Sequence, residues 1–235
     1  MISCQPEEGL EETALNKVLI IGNSITYHPP DFSIGWDANW GMAASRPELD
    51  YVSLLTDLLT KKYPSIEVVR ENVYPFERNY DNMGWDAYSH LRDFEPDVLI
   101  VRLGENVDAE RFEGDNFKNS LHAFVAYLTG AREVNVVVTT TFWENVPVTE
   151  QLVKAGEESG WTIVNLYDLG QDDRYMAIGR FENAAVSRHP NDLGMEEIAK
   201  RIWDALQIKK GAELAATRLT KGLTSFWIQQ ANHNK

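Results

Sequence analysis

The sequence predicts an α/β fold, a three-layer sandwich around a parallel sheet of about five strands. Three observations carry that prediction. Short β-branched runs alternate with amphipathic stretches along most of the chain. The runs at 17–21 and 97–103 are largely apolar without alternation, and each is followed by a glycine, Gly22 or Gly104, as in buried parallel strands. Strands that alternate with helices need crossover connections, which put helices on both faces of the sheet. With 235 residues, the chain can bury roughly 70–75% of its unfolded surface, so the fold requires neither disulfide nor metal.

The first strand covers 17–21. Leu49, Val52, Leu55, Leu58 and Leu59 recur at helical spacing and predict a helix over 49–62, with Arg46-Pro47 at its start. A second, short strand covers 66–69, and residues 81–94 read as a helix. The third strand is 97–103. Phe117, Leu121, Phe124, Val125 and Leu128 stripe a helix closed by Gly130. Next come a fourth strand at 134–141, a helix at 148–159 and a fifth strand at 162–166. Met195, Ile198, Ala199, Ile202, Trp203 and Leu206 mark the last strong helix. Three regions result: a tail over 1–15, an α/β domain over 16–208, and a C-terminal extension over 209–235. In that extension 211–218 is a candidate helix, with Phe226 and Trp227 to dock it.

Composition narrows the function. Lys and Arg number 22 against 36 Asp and Glu, a net charge of −14, which argues against nucleic acid or an anionic membrane as partner. No apolar run reaches the ~20 residues of a membrane span. A single cysteine, Cys4, excludes an internal disulfide and a Cys-rich zinc site. Met1-Ile-Ser-Cys4 resembles the end of a bacterial lipoprotein signal, although no charged or apolar region precedes it. Two readings stand: an exported or lipid-anchored protein with 5–13 as an acidic tether, or a cytoplasmic protein with a disordered start. No cofactor is called for. Gly22-Asn23-Ser24 lacks both the Gly-x-Gly-x-x-Gly turn and the Walker lysine. His28, His90, His122 and His233 show no metal-ligand spacing.

In an open α/β sheet, ligands bind beyond the carboxyl ends of the strands. There the chain carries Ser24, Asn106 within Gly104-Glu105-Asn106, Trp143, and His189 just before the last helix. A serine on a tight strand-to-helix turn, with a histidine base, suits nucleophilic acyl transfer. The Ser24 N–H and the Asn106 amide are candidate oxyanion donors, and losing such a donor costs about 3–4 kcal/mol of transition-state stabilisation.

These blocks resemble the SGNH (GDSL-type) hydrolase superfamily. Gly22-Asn23-Ser24-Ile25-Thr26 matches its first block, with Asn23 where aspartate is commoner. Gly104-Glu105-Asn106 matches its Gly-x-Asn block, and His189-Pro190-Asn191-Asp192-Leu193-Gly194-Met195 its last. The three stand in the family's order over residues 17–207. The resemblance implies a flavodoxin-like sandwich, Ser24 as nucleophile, His189 as base and hydrolysis of small acyl esters. The chain departs from the family at two places. The family's usual aspartate, three residues before the histidine, is Val186 here, so the orienting group is Glu182, Asp173 or a backbone carbonyl, or the site is a Ser–His dyad. The glycine N–H after the second strand is missing from 71–79, which leaves the N–H of Phe76 or Glu77 as the candidate donor.

Two further readings concern single residues. Arg102 sits in a strand expected to be buried, which predicts an ion pair with Glu71 or Glu144. Seven tryptophans are many for this length, and Trp36, Trp40 and Trp143 fall near the expected active rim. They are candidate substrate walls for a carbohydrate ester, or loop packing. The leading expectation is a serine esterase, a deacetylase of small or carbohydrate esters, of undetermined oligomeric state. The alternatives are an acyltransferase on the same scaffold and a catalytically silent carbohydrate-binding protein.

Overall fold

The computed structural model describes residues 15–130 and 132–207. The expectations for Cys4, the tail over 1–14, His233 and the 209–235 extension lie outside the described residues. Within them, five parallel strands form one sheet: β1 (Lys17–Gly22), β2 (Glu67–Asn72), β3 (Val98–Arg102), β4 (Asn135–Thr139) and β5 (Thr162–Val164). Their spatial order is β2-β1-β3-β4-β5, the flavodoxin-like order. Chain direction across the sheet reverses between β1 and β3, so the ligand crevice is expected beyond their carboxyl ends.

Strand side chains divide by parity between two cores, because successive residues point to opposite faces. Val18, Ile20, Val98, Ile100 and Val137 pack against α1 (Tyr51–Lys62) and α7 (residues 192–207). Leu19, Ile21, Leu99, Val101, Val136 and Val138 pack against α2 (Tyr74–Asn79), α3 (Ser89–Asp93), α4 (Asn116–Thr129) and α5 (Val146–Ser159). A short α6 (Ala184–Ser187) precedes α7.

Some boundaries differ from the sequence reading, for physical reasons. The β2 strand runs on to Asn72 because it pairs with β1 as far as Gly22, although Arg70-Glu71-Asn72 carries no apolar signal. The stretch 81–94 is helical only in its second half, as a 3₁₀ turn at Asp86–Tyr88 and then α3. Residues 74–79, which lie between the expected second strand and the expected helix at 81–94, form α2 with Pro75 in its first turn.

Candidate active site

The Ser24 turn comes directly after β1. The N–H groups of Thr26 and Tyr27 both donate to Asn23 O, at 2.9 and 3.0 Å, which winds the chain into a tight helical turn. Gly22 makes this turn possible. A Cβ there would lie 1.9 Å from Thr26 Oγ1 and 2.4 Å from Arg102 O. Downstream, Asp50 is fully buried and holds the long loop beyond the turn. It caps α1 through the Ser53 N–H, accepts from the Gly41 N–H at 3.0 Å and pairs with Arg70. The Met42 N–H then donates to Ser24 O at 2.9 Å.

His189 arrives from the far end of the chain. Asn183 caps α6, the His189 N–H donates to Val186 O, and the Ala177 N–H donates to His189 O at 2.9 Å. Asn191 caps α7 through the Gly194 N–H, and Asp192 accepts from both Ser45 N–H and Ser45 Oγ. The result joins residues 165 positions apart: Ser24 Oγ lies 2.8 Å from His189 Nε2. His189 Nδ1 lies 2.9 Å from the Ala185 carbonyl. A carbonyl can only accept, so the proton sits on Nδ1 and the Nε2 lone pair faces Ser24.

Of the orienting groups open in the sequence, the backbone carbonyl is the one in contact. Glu182 and Asp173 are not the partners of the imidazole: the group on its Nδ1 is Ala185 O. Val186 is 1% exposed and packs with Trp36 and Met42, so an apolar contact occupies the family's aspartate position. Burial, first of all, pulls His189 down to about 4, and the Ala185 carbonyl offsets part of that effect. The imidazole is therefore neutral at pH 7, as a base must be before it accepts a proton.

Beside the pair lies a buried polar cluster from α2 and the carboxyl ends of β1 and β3. Arg102, fully buried, pairs with Glu105 and donates to Asn23 Oδ1 at 2.6 Å. The expected partners Glu71 and Glu144 are thus replaced by Glu105, which sits just beyond the strand end. Asn23 Nδ2 donates to Glu105 at 2.5 Å and to Glu77 at 3.1 Å. An aspartate at 23 would set a third carboxylate against these two, whereas asparagine supplies a donor for them and an acceptor for Arg102.

Glu77 is fully buried, but its backbone is not an oxyanion donor. Its N–H donates to Val73 O, as does that of Phe76, because both belong to the first turn of α2. The N–H of Val73 is taken by Gly22 O and that of Tyr74 by Asn72 Oδ1. The Glu77 carboxylate accepts from Gly104 N–H at 2.6 Å, Asn106 N–H at 3.3 Å and Asn106 Nδ2 at 2.8 Å. Burial and then the Glu105 charge push this carboxyl up, while the bonds from Asn106, Gly104 and Asn23 pull it back. Two of its partners are backbone N–H groups, which can only donate, and that suits the acceptor-only ionised form.

Ser24, Asn106 and His189 open on one cavity of about 540 Å³, also lined by Tyr27, Tyr74 and Glu71. Among the described residues, no lysine or arginine lines it. Trp36, Trp40 and Trp143 do not line it either. Trp36 is 2% exposed and meets Trp40 edge to face at 5.8 Å, which makes both loop packing. Trp143 instead packs edge to face on the His189 ring at 4.8 Å, with its Nε1–H on Arg188 O. Among the described residues no group of three His, Cys, Asp or Glu is placed to hold a metal ion, and no helix is long and apolar enough to cross a membrane.

The same architecture is found in solved esterases. A psychrotrophic esterase, EstA, from Pseudoalteromonas sp. matches with a TM-score of 0.55 and 16% identity, over 82% of this chain and 97% of that one. An acetylxylan esterase, Axe2, from Geobacillus stearothermophilus matches with a TM-score of 0.54 and 17% identity, over 81% and 93% of the two chains. A two-domain esterase, CEX, active on acetylated mannans matches with a TM-score of 0.55 and 19% identity, over 83% of this chain and 49% of that one. The chain has the fold of these esterases. No protein-family model matches the sequence, and no curated protein is similar to it by sequence. In this fold the crevice between β1 and β3 holds Ser24 and Asn106, the ends that the strand order singles out.

Proposed function

We propose that the protein is a serine esterase that removes small acyl groups, acetyl foremost, from neutral carbohydrate esters. The contact between Ser24 Oγ and the lone pair of His189 Nε2 carries this reading. Ser24 Oγ attacks the acyl carbon as its proton passes to Nε2. The oxyanion meets the Ser24 N–H and the Asn106 amide. His189 then protonates the leaving alcohol, and water, activated by the same nitrogen, releases the acid. Among the described residues the cavity lining holds no lysine or arginine to act as counter-charge for an anionic acyl group. The carbohydrate half of the proposal draws on the structural neighbours named for acetylated mannan and xylan.

A short-chain chromogenic ester tests the chemistry, and an acetylated oligosaccharide tests the alcohol. Ser24→Ala is expected to abolish turnover with an unchanged thermal midpoint. Full activity in that variant would remove the mechanism. The missing aspartate is the ground for a silent binding protein, and the Ala185 carbonyl supplies the orienting contact whose loss that reading assumes.

A further inference from the structure

We infer that Glu77 is a positioning residue, whose carboxylate fixes the Asn106 amide with its N–H groups toward the oxyanion. The inference rests on the esterase reading and goes beyond it.

An asparagine side chain is nearly symmetric in shape, and only its partners decide which end is nitrogen. Here the partner is a carboxylate, which can only accept. Glu77 Oε2 lies 2.8 Å from Asn106 Nδ2, while Oε1 takes the backbone N–H groups of Gly104 and Asn106. One of the two Nδ2 hydrogens is held by Glu77, and the second is free to face the cavity that Asn106 lines. The same carboxylate therefore anchors the loop backbone and orients its side chain. Asn23 Nδ2, also on Oε1, links this anchor to the residue before the nucleophile. Serine turn and oxyanion amide are thus registered on one buried group.

Glu77→Gln separates this role from simple structural support. Its single carbonyl oxygen is best placed at Oε1, where three donors converge. Its NH₂ then faces Asn106 Nδ2, two donors in opposition. Rotation of the Asn106 amide relieves the conflict and turns Oδ1 toward the oxyanion. The expected result is a kcat lowered about 100-fold, the scale of a lost oxyanion donor, with KM within about twofold. The loss should not add to that of Asn106→Ala: the double variant should be no slower than Asn106→Ala alone. The Asn106 side-chain NH₂ resonances, identified by their absence from Asn106→Asp, should shift in Glu77→Gln. That readout needs no turnover.

Turnover of a short-chain ester by the wild type, with kcat unchanged in Glu77→Gln, overturns the positioning role and spares the esterase reading. Unshifted amide resonances, or a loss that multiplies with that of Asn106→Ala, overturn it as well. No turnover by the wild type overturns the esterase reading and this inference with it.

Discussion

The neutral His189 gives a stability signature that can be calculated. Its folded value of about 4 lies below the ordinary 6.5. In the unfolded chain the ring takes a proton as pH falls through about 6.5, whereas the folded protein resists until about 4. The stabilisation is therefore complete above pH 6.5 and is lost as pH falls toward 4. A span of about 2.5 pH, at about 1.4 kcal/mol each, amounts to about 3 kcal/mol. For a domain of this size that corresponds to a fall of roughly 6–12 °C in Tm. Denaturant unfolding of wild type and His189→Gln between pH 7.5 and 4 isolates the effect, because the other titrating groups are common to both proteins. The wild-type advantage over the variant should shrink by about 3 kcal/mol across that window. A constant difference from pH 6.5 to 4 would refute a buried neutral histidine. The same shift predicts an acid limb of kcat/KM near pH 4, since the base is lost only when Nε2 is protonated.

Three other outcomes are expected from the site. Asn23→Asp should cost about 3 kcal/mol at pH 7 in chemical denaturation, because it brings a third carboxylate to Glu77 and Glu105. A carboxyl crowded in this way has a raised pKa, so the penalty should lessen as pH falls and one of the three takes a proton. Trp143→Ala should admit water to the His189 ring and move the acid limb up by about one pH unit, read from a kcat/KM profile. Gly104→Ala should destabilise by about 3 kcal/mol, seen as a lower denaturation midpoint. Its φ is +127°, and a Cβ would lie 2.8 Å from Thr141 Cγ2 and 3.0 Å from Leu152 Cδ1.

Residue type and strand ends carry the legible part of this protein. The runs behind β1, β3 and β4 are buried on both faces, so their β-branched composition announces them. Ser24, Asn106 and His189 are legible because a parallel sheet gathers at one rim the residues beyond its strands' carboxyl ends. Edge strand β2 is harder to read, since its half-buried second part is charged. The α2 helix is six residues long, too short to display a period. The orienting group of His189 is a main-chain oxygen, which no residue letter signals. Glu77 is visible as an acid beyond the second strand, at the right rim, but its letter does not say whether its N–H or its carboxylate faces the site. Tryptophan is equally mute about direction: Trp36 points into packing, Trp143 onto the His189 ring.

The carbonyl behind His189 changes what kind of base the proposed mechanism would use. An aspartate at that position would stabilise the imidazolium by charge and raise its pKa. A neutral carbonyl fixes the tautomer equally well but gives much less stabilisation to the charged ring. Burial then dominates, and the base remains unprotonated down to about pH 4. In the proposed mechanism proton abstraction is weaker at pH 7, because a base of low pKa has less driving force. The compensation is range: the reactive form persists through mildly acid conditions in which an imidazole at 6.5 would be mostly protonated. Val186 belongs to the same arrangement. Its burial against Trp36 and Met42 anchors α6, and that short helix presents the Ala185 carbonyl to the ring. The apolar side chain in the aspartate position and the carbonyl one residue before it thus divide between them the anchoring and the orientation of the histidine.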